Sequence, residues 1–148
     1  MKSLQLATED DAPKLLPLIA AFHTEMGFET NQEQQTAAVA PLLSGSPHGA
    51  IWMIGPRKAP VGYIAITFGW SLEFGGMDAF VDELYIRPAV RKRGMGSEAL
   101  SGLAKALGDG GVRALHLEVD RDDENTQRFY TRARFARRDK YVLMSKEL

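Results

Sequence analysis

The chain has no cysteine. A disulfide framework, a thiolate metal site and a covalent cysteine nucleophile are therefore excluded. Histidine is scarce: His23, His48 and His116 stand far apart, without the spacing of a ligand pair. No metal is expected. No apolar run approaches the roughly 20 residues that a membrane helix needs. The opening MKSLQLATEDDAP has no apolar signal core, so the cytoplasm is the compartment expected by default. Excess charge is also lacking: the net charge is −1. No overall field points to nucleic acid or to a membrane surface, and neither is expected as a partner. The chain has no G-x-x-x-x-G-K-[ST] and no G-x-G-x-x-G after an early strand. A Walker loop and a dinucleotide-binding unit are set aside on that ground.

What is present is ordinary for a globular protein. Of 148 residues, 45% are hydrophobic and 25% charged, enough for one domain over residues 1–148 with a real core. The charge is unevenly spread. Residues 1–86 hold 4 Lys/Arg and 10 Asp/Glu, a net of −6; residues 87–148 hold 14 and 9, a net of +5; the two sum to −1. Such a split suits an anionic ligand on the second half and a cationic one on the first, or simply two solvated faces.

Periodicity orders the elements as βαα-βββ-αβαβ. Ser3–Ala7 alternates as a short strand. Thr8, Asp10 and Asp11 suit a helix start, and Leu15, Leu18, Ile19, Phe22 and Met26 recur at helical spacing. Pro17 predicts a kink or a late start there. Asn31 and Gln34 resemble a capping box for a helix to about Leu43. Ala50–Ile54 and Val61–Trp70 form a hairpin across Gly55–Pro60, and Leu72–Met77 is a loop. Asp78–Arg87 is a strand, Gly94–Gly108 a helix, Val112–Val119 a strand and Asp123–Ala133 a helix. A last strand is expected at Lys140–Met144.

The segment from Val81 to Ser97 is the most informative. A strand ends at Ile86, a basic turn follows, and glycines open a helix. Such a helix start offers N–H groups without intrahelical partners and the positive end of the macrodipole, which together cradle an anion. Gly94 and Gly96 keep side chains away from those amides. Arg91, Lys92 and Arg93 add charge, and arginine grips phosphate with two donors.

Placed between an acidic strand and an amphipathic helix, the run Asp82–Ser97 (DELYIRPAVRKRGMGS) resembles the acetyl-CoA signature of the GNAT N-acetyltransferase superfamily. Glu124–Phe135 (ENTQRFYTRARF) is similar to that family's second signature, N-x-x-A-x-x-x-Y-x-x-x-G-F, through Asn125, Phe129-Tyr130 and Phe135. Two positions depart from it: Arg128 replaces a small residue, and Arg134 replaces a glycine, at a cost if φ is positive there. The resemblance implies an α/β (α+β) fold with a mixed, splayed sheet of about six to seven strands and about four helices. It places the splay between Asp78–Arg87 and Val112–Val119. The pantetheine arm would bond backbone groups of Leu84, Tyr85 and Ile86, and the pyrophosphate would sit on Arg91, Lys92, Arg93, Gly94, Met95, Gly96 and Ser97. Asn125 would bond the cofactor from the other side.

Acetyl transfer to an amine needs a neutral amine, a donor for the carbonyl oxygen and a proton for the leaving thiolate. The resemblance makes Tyr130 the general acid. The base is Glu83 or Asp82, adjacent on one strand and so on opposite faces. By simple alternation Glu83 shares a face with Val81 and Tyr85, and Asp82 with Phe80 and Leu84. A carboxylate in so apolar a strand is partly desolvated, which favours proton uptake; Glu83 is preferred. The acceptor, a small-molecule or peptide amine, would lie between the early helices and the Trp70–Asp78 loop. Its polar candidates are His23, Glu25, Glu29, Glu73 and Asp78, and its apolar ones Phe28, Phe68, Trp70 and Phe74. His23 reads more readily as a packed residue than as a catalyst. The alternatives are a non-catalytic acyl-CoA-binding module on the same fold and, more remotely, a nucleic-acid-binding domain. A homodimer through the late strands is a further expectation from the resemblance.

Overall fold

A computed structural model describes residues 3–148. They fall into two compact units, one running to Glu118 and the other Val119–Leu148. The fold is mixed α/β, with four α-helices and a five-stranded mixed sheet.

In the first unit the strands β1 (Leu4–Leu6), β2 (Gly49–Ile54), β3 (Gly62–Ser71), β4 (Gly76–Ile86) and β5 (Ala114–His116) lie in sequence order across the sheet. The first four are antiparallel, and β5 joins β4 in parallel. The expected hairpin is present as β2 and β3. Glu9–Asp11 forms a 3-10 turn and α1 runs Ala12–Met26, so the helix does not wait for Pro17 but carries it inside. Asp11 anchors that turn. Its carboxylate accepts from the Thr8 N–H at 2.8 Å and from Arg57 at 2.5 Å. Burial alone would raise its pKa, but these partners hold it below the usual carboxylate value. Helix α2 (Gln32–Leu43) has the anticipated capping box, with Asn31 and Gln34 bonded reciprocally at 2.8 and 2.9 Å.

One sheet face meets α1 and α2. Leu15, Leu18, Ile19, Val39 and Leu43 pack there on Ile51, Met53, Tyr63, Ala65 and Tyr85. Each large apolar side chain buried this way contributes about 1.5–3 kcal/mol. On the opposite face Ile64 and Ile66 are equally buried, and α3 (Met95–Asp109) brings buried Ala99, Leu100 and Leu103 and contacts β4.

Two irregularities in β4 shape the site. Ala65 stands opposite Glu83 while Ile66 stands opposite Val81, so Asp82 is an extra residue in β4. This bulge breaks the alternation on which the expected faces rested. Glu83 shares its face with Tyr85, Tyr63 and the α1 side, whereas Val81 lies on the other face. The second irregularity is a splay. Among the described residues β4 and β5 pair only over Asp78–Phe80 and Ala114–His116. The strand expected over Val112–Val119 is correspondingly short, at Ala114–His116.

The second unit holds α4 (Glu124–Arg132), capped by Asp123, whose carboxylate accepts from the Thr126 N–H at 3.1 Å and its hydroxyl at 2.6 Å. No strand forms over Lys140–Met144, and five strands replace the expected six to seven. Tyr141, Val142, Leu143 and Met144 are all exposed. Four consecutive apolar residues have β propensity but no alternation, and a strand exists only where a neighbour takes its N–H and C=O groups.

Candidate active site

Glu83 is the hub of the first unit's polar interior. The bulge turns it toward α1, where its side chain keeps 15% of its exposure. The Tyr63 hydroxyl donates to Oε1 at 2.7 Å, and His23 Nε2 lies 2.7 Å from Oε2. Burial, reinforced by the Glu83 carboxylate, raises the Tyr63 pKa far above that of a free phenol. Tyr63 is therefore a fixed donor, and Glu83 Oε1 a fixed acceptor. Rings of Phe22, Phe28 and Tyr85 surround the pair: Phe22 meets Tyr63 and Tyr85 edge-on at 6.3 and 5.9 Å, and Phe28 meets His23 at 5.2 Å. Asp82, the rival carboxylate, is exposed, and its side chain makes no hydrogen bond or ion pair among the described residues.

His23 is brought to Glu83 by helix phase and by the helix end. Leu15, Ile19 and His23 recur every four residues, so His23 continues the buried stripe of α1. Gly27, at φ 75, then closes the helix, with the Phe28 N–H on the His23 carbonyl at 2.9 Å. That left-handed turn suits glycine and folds Phe28 and Thr30 back over the imidazole. Its Nδ1 sits 2.6 Å from the Thr30 hydroxyl oxygen. The every-fourth-residue stripe was the available signal for His23; that its partner would be Glu83 was not legible locally.

The predicted phosphate loop holds two left-handed positions ahead of α3. After a 3-10 turn at Pro88–Val90, Lys92 adopts φ 65 and Gly94 φ 80, and α3 begins at Met95. The first helical bond is donated by the Glu98 N–H to the Gly94 carbonyl at 2.9 Å. The N–H groups of Lys92, Arg93, Gly94, Met95, Gly96 and Ser97 have no acceptor among the described residues. The side chains of Lys92 and Arg93 are exposed and likewise unbonded among those residues. Alternating left-handed positions ahead of a helix turn successive amides inward, which is the geometry of an anion nest. Arg91 is committed elsewhere. It donates from Nε to the Ile86 carbonyl at 2.7 Å, pairs with Glu25 at 2.8 Å and lies 5.5 Å over the Tyr85 ring. Its bond to Glu25 raises its pKa further. Leu84 pairs with Ile64 and Tyr85 with Tyr63 along β4, whose far edge faces the splay.

In the second unit Asn125 is exposed, and its carboxamide oxygen accepts from the Arg128 guanidinium, leaving its N–H groups as donors. Arg128, the departure from a small residue, thus orients Asn125 and also pairs with Glu124 at 4.0 Å. Tyr130 packs edge-on to Phe129 at 5.0 Å and Phe135 at 5.7 Å. Burial raises its pKa to about 12. Arg134 stands at φ 72, where the second signature has glycine; the Phe135 N–H reaches the Tyr130 carbonyl at 3.0 Å and the Arg134 N–H the Thr131 carbonyl at 3.0 Å. The helix-ending turn forms without glycine, at the conformational cost anticipated.

Of the acceptor candidates, His23 joins Glu83 and Glu25 joins Arg91, as described. Asp78 pairs with His116 at 3.3 Å, with Phe74 and Phe80 against the imidazole at 5.3 and 5.1 Å. His116 was not anticipated. Phe28, Trp70 and Glu29 are exposed. Among the described residues no three His, Asp or Glu side chains are grouped to hold a metal ion, and no helix is long and apolar enough to cross a membrane.

Residues 14–135 match the Acetyltransferase (GNAT) family. An integron cassette protein from the mobile metagenome of Cole Harbour Salt Marsh, HFX_CASS3, superposes with a TM-score of 0.85 at 34% identity, over 99% of this chain and 90% of that one. The aminoglycoside acetyltransferase meta-AAC0020 from an uncultured soil metagenomic sample, in complex with sisomicin, shares the fold with a TM-score of 0.78 at 15% identity, over 98% and 95%. So does a ribosomal-protein-alanine N-acetyltransferase from Brucella melitensis biovar Abortus 2308, with a TM-score of 0.76 at 16% identity, over 98% and 99%. No curated protein matches the sequence.

Proposed function

The chain belongs to the GNAT acetyltransferase family, and from that premise we propose that it transfers the acetyl group of acetyl-CoA to a primary amine of a small molecule or peptide by direct attack. The observation that carries this reading is the desolvated, doubly hydrogen-bonded Glu83 beside a splayed strand that leads into unpartnered amides. Those residues fit the coenzyme. The amides of 92–97, with Lys92 and Arg93, would hold its pyrophosphate. The free edge of β4 at Leu84–Ile86 would bond the pantetheine arm, and the resemblance gives the Asn125 carboxamide a further bond to the coenzyme. When bound, acetyl-CoA supplies an activated thioester carbonyl and a thiol leaving group.

The protein's own groups then have distinct work. Glu83 takes the proton of the attacking amine, directly or through one water. Strand N–H groups of β4 donate to the carbonyl oxygen as it gains charge. Tyr130, kept protonated by burial, donates to the departing sulfur. No covalent acyl-enzyme is required. The two solved acetyltransferases named above support an amine acceptor, and the acidic first half suits a cationic one. A homodimer and a cytoplasmic setting complete the reading.

The test is thiol release from acetyl-CoA over a panel of polyamines, aminoglycosides, amino acids and peptide N-termini, alongside titration calorimetry with coenzyme A. Turnover with at least one amine is expected. Glu83→Gln should lower kcat/KM by about 10²–10³-fold with coenzyme affinity within about twofold. Coenzyme binding without turnover of any amine would instead make the chain an acyl-CoA-binding module.

A further inference from the structure

Two helix stripes reach polar residues that one threonine joins. On α1 the buried run Leu15, Ile19 continues to His23, and on α2 the buried run is Gln35, Val39 and Leu43. Thr30 lies in the link between the two helices. The Gln35 amide nitrogen donates to the Thr30 carbonyl at 3.4 Å and to Thr30 Oγ1 at 3.0 Å. A carbonyl only accepts, so the orientation of that amide is fixed, and Gln35 donates to the hydroxyl oxygen as well. The line continues inward. Thr30 Oγ1 stands 2.6 Å from His23 Nδ1, and His23 Nε2 stands 2.7 Å from Glu83 Oε2. Gln35 is 6% exposed and the His23 side chain 14%, so an unmet bond at either would be costly.

A carboxylate has no proton to give, so the contact with Glu83 requires one on His23 Nε2. A neutral imidazole then presents a bare lone pair at Nδ1, and the Thr30 hydroxyl donates to it. Every donor points the same way: Gln35 to Thr30, Thr30 to His23, His23 to Glu83. Tyr63 donates to the other carboxylate oxygen. We propose that His23 is a fixed donor to Glu83, a positioning residue whose tautomer is set by Thr30 and Gln35, and that it takes no proton during turnover. The inference rests on Glu83 being the base. Both imidazole nitrogens are engaged, so the proton of the attacking amine goes to Glu83 and His23 keeps its own. His23 and Tyr63 each occupy one lone pair on a different carboxylate oxygen, which leaves about two of the four sites open for that proton. The two donors also hold the carboxylate in one orientation, as a base within hydrogen-bond reach of the amine requires.

Two substitutions at His23 test the role. Glutamine places an N–H near the position of Nε2 but exchanges no proton; phenylalanine keeps a ring and has no donor. With the best amine of the panel, His23→Phe should lower kcat about tenfold or more. His23→Gln should keep kcat within about threefold of wild type, and KM for acetyl-CoA and for the amine should stay within about twofold in both. If His23→Gln falls as far as His23→Phe, the ring itself exchanges protons and the donor role is wrong. Nitrogen NMR of the free protein at neutral pH reads the tautomer directly, with the His23 signals identified by their loss in His23→Gln. One proton, on Nε2, and a hydrogen-bonded bare Nδ1 are expected. Thr30→Val should move the Nδ1 resonance toward that of an unbonded nitrogen, and Thr30→Ser should restore it. A proton on Nδ1, alone or beside one on Nε2, overturns the assignment. If both His23 variants keep wild-type kcat while Glu83→Gln is inactive, His23 positions nothing and the base assignment stands. If Glu83→Gln keeps wild-type turnover, the base assignment fails and the positioning role fails with it.

Discussion

Tyr63 and Tyr130 hold the same phenol in different surroundings. Tyr63 sits against a carboxylate and is locked as a donor to it. Tyr130 sits among aromatic rings, where burial alone raises its pKa to about 12. Because the folded state binds that proton more tightly than a free phenol of pKa 10.0, the associated stability is complete below about pH 10 and is lost as pH rises toward 12. At neutral pH the group is an acid with its proton in place. Tyr130→Phe should lower kcat at least tenfold while calorimetry finds coenzyme affinity within about twofold; kcat within about twofold of wild type would remove Tyr130 from the mechanism. Arg134 is a second residue-scale case. At φ 72 it carries a strain that glycine would not. Arg134→Gly should stabilise the protein by up to about 1 kcal/mol, seen as a higher urea midpoint with an unchanged slope.

At the scale of elements, α1 links both parts of the first unit's site. Its buried stripe delivers His23 to Glu83, and two residues later Glu25 holds Arg91. Arg91 in turn ties the phosphate loop back to the end of β4 through the Ile86 carbonyl. The Arg91–Glu25 pair is half-exposed and worth little as stability. Its effect is on availability: a phosphate and Glu25 compete for the same guanidinium. Glu25→Gln should therefore leave the unfolding free energy from urea titration within about 0.5 kcal/mol of wild type and tighten coenzyme A binding severalfold by calorimetry. Unchanged or weaker affinity would mean that Arg91 takes no part in holding the phosphate.

For the molecule as a whole, the near-zero net charge hides a local field. The basic positions at the start of α3 lie beside unbonded amides, while the first 86 residues are acidic. Coenzyme affinity should thus depend on salt in spite of the chain's net charge of −1. Raising ionic strength from about 0.05 to 0.5 M should weaken binding by roughly five- to tenfold, as the Debye length shrinks below the loop's dimensions. An affinity indifferent to salt would place the recognition on apolar and backbone contacts.

Local pattern in the sequence determined most of the elements: the helix stripe from Leu15, the capping box at Asn31, the glycine-opened start of α3 and the two signature segments. Each depends on neighbours within a few residues, so short-range sterics and hydrogen bonding are enough to encode it. Tertiary structure alone decided which face Glu83 takes, because one unpaired residue at Asp82 reverses simple alternation. It likewise decided that His23, 60 residues away from Glu83, becomes that carboxylate's partner, and that Lys140–Met144 forms no strand. Those outcomes depend on which distant groups meet, and no local periodicity carries that information.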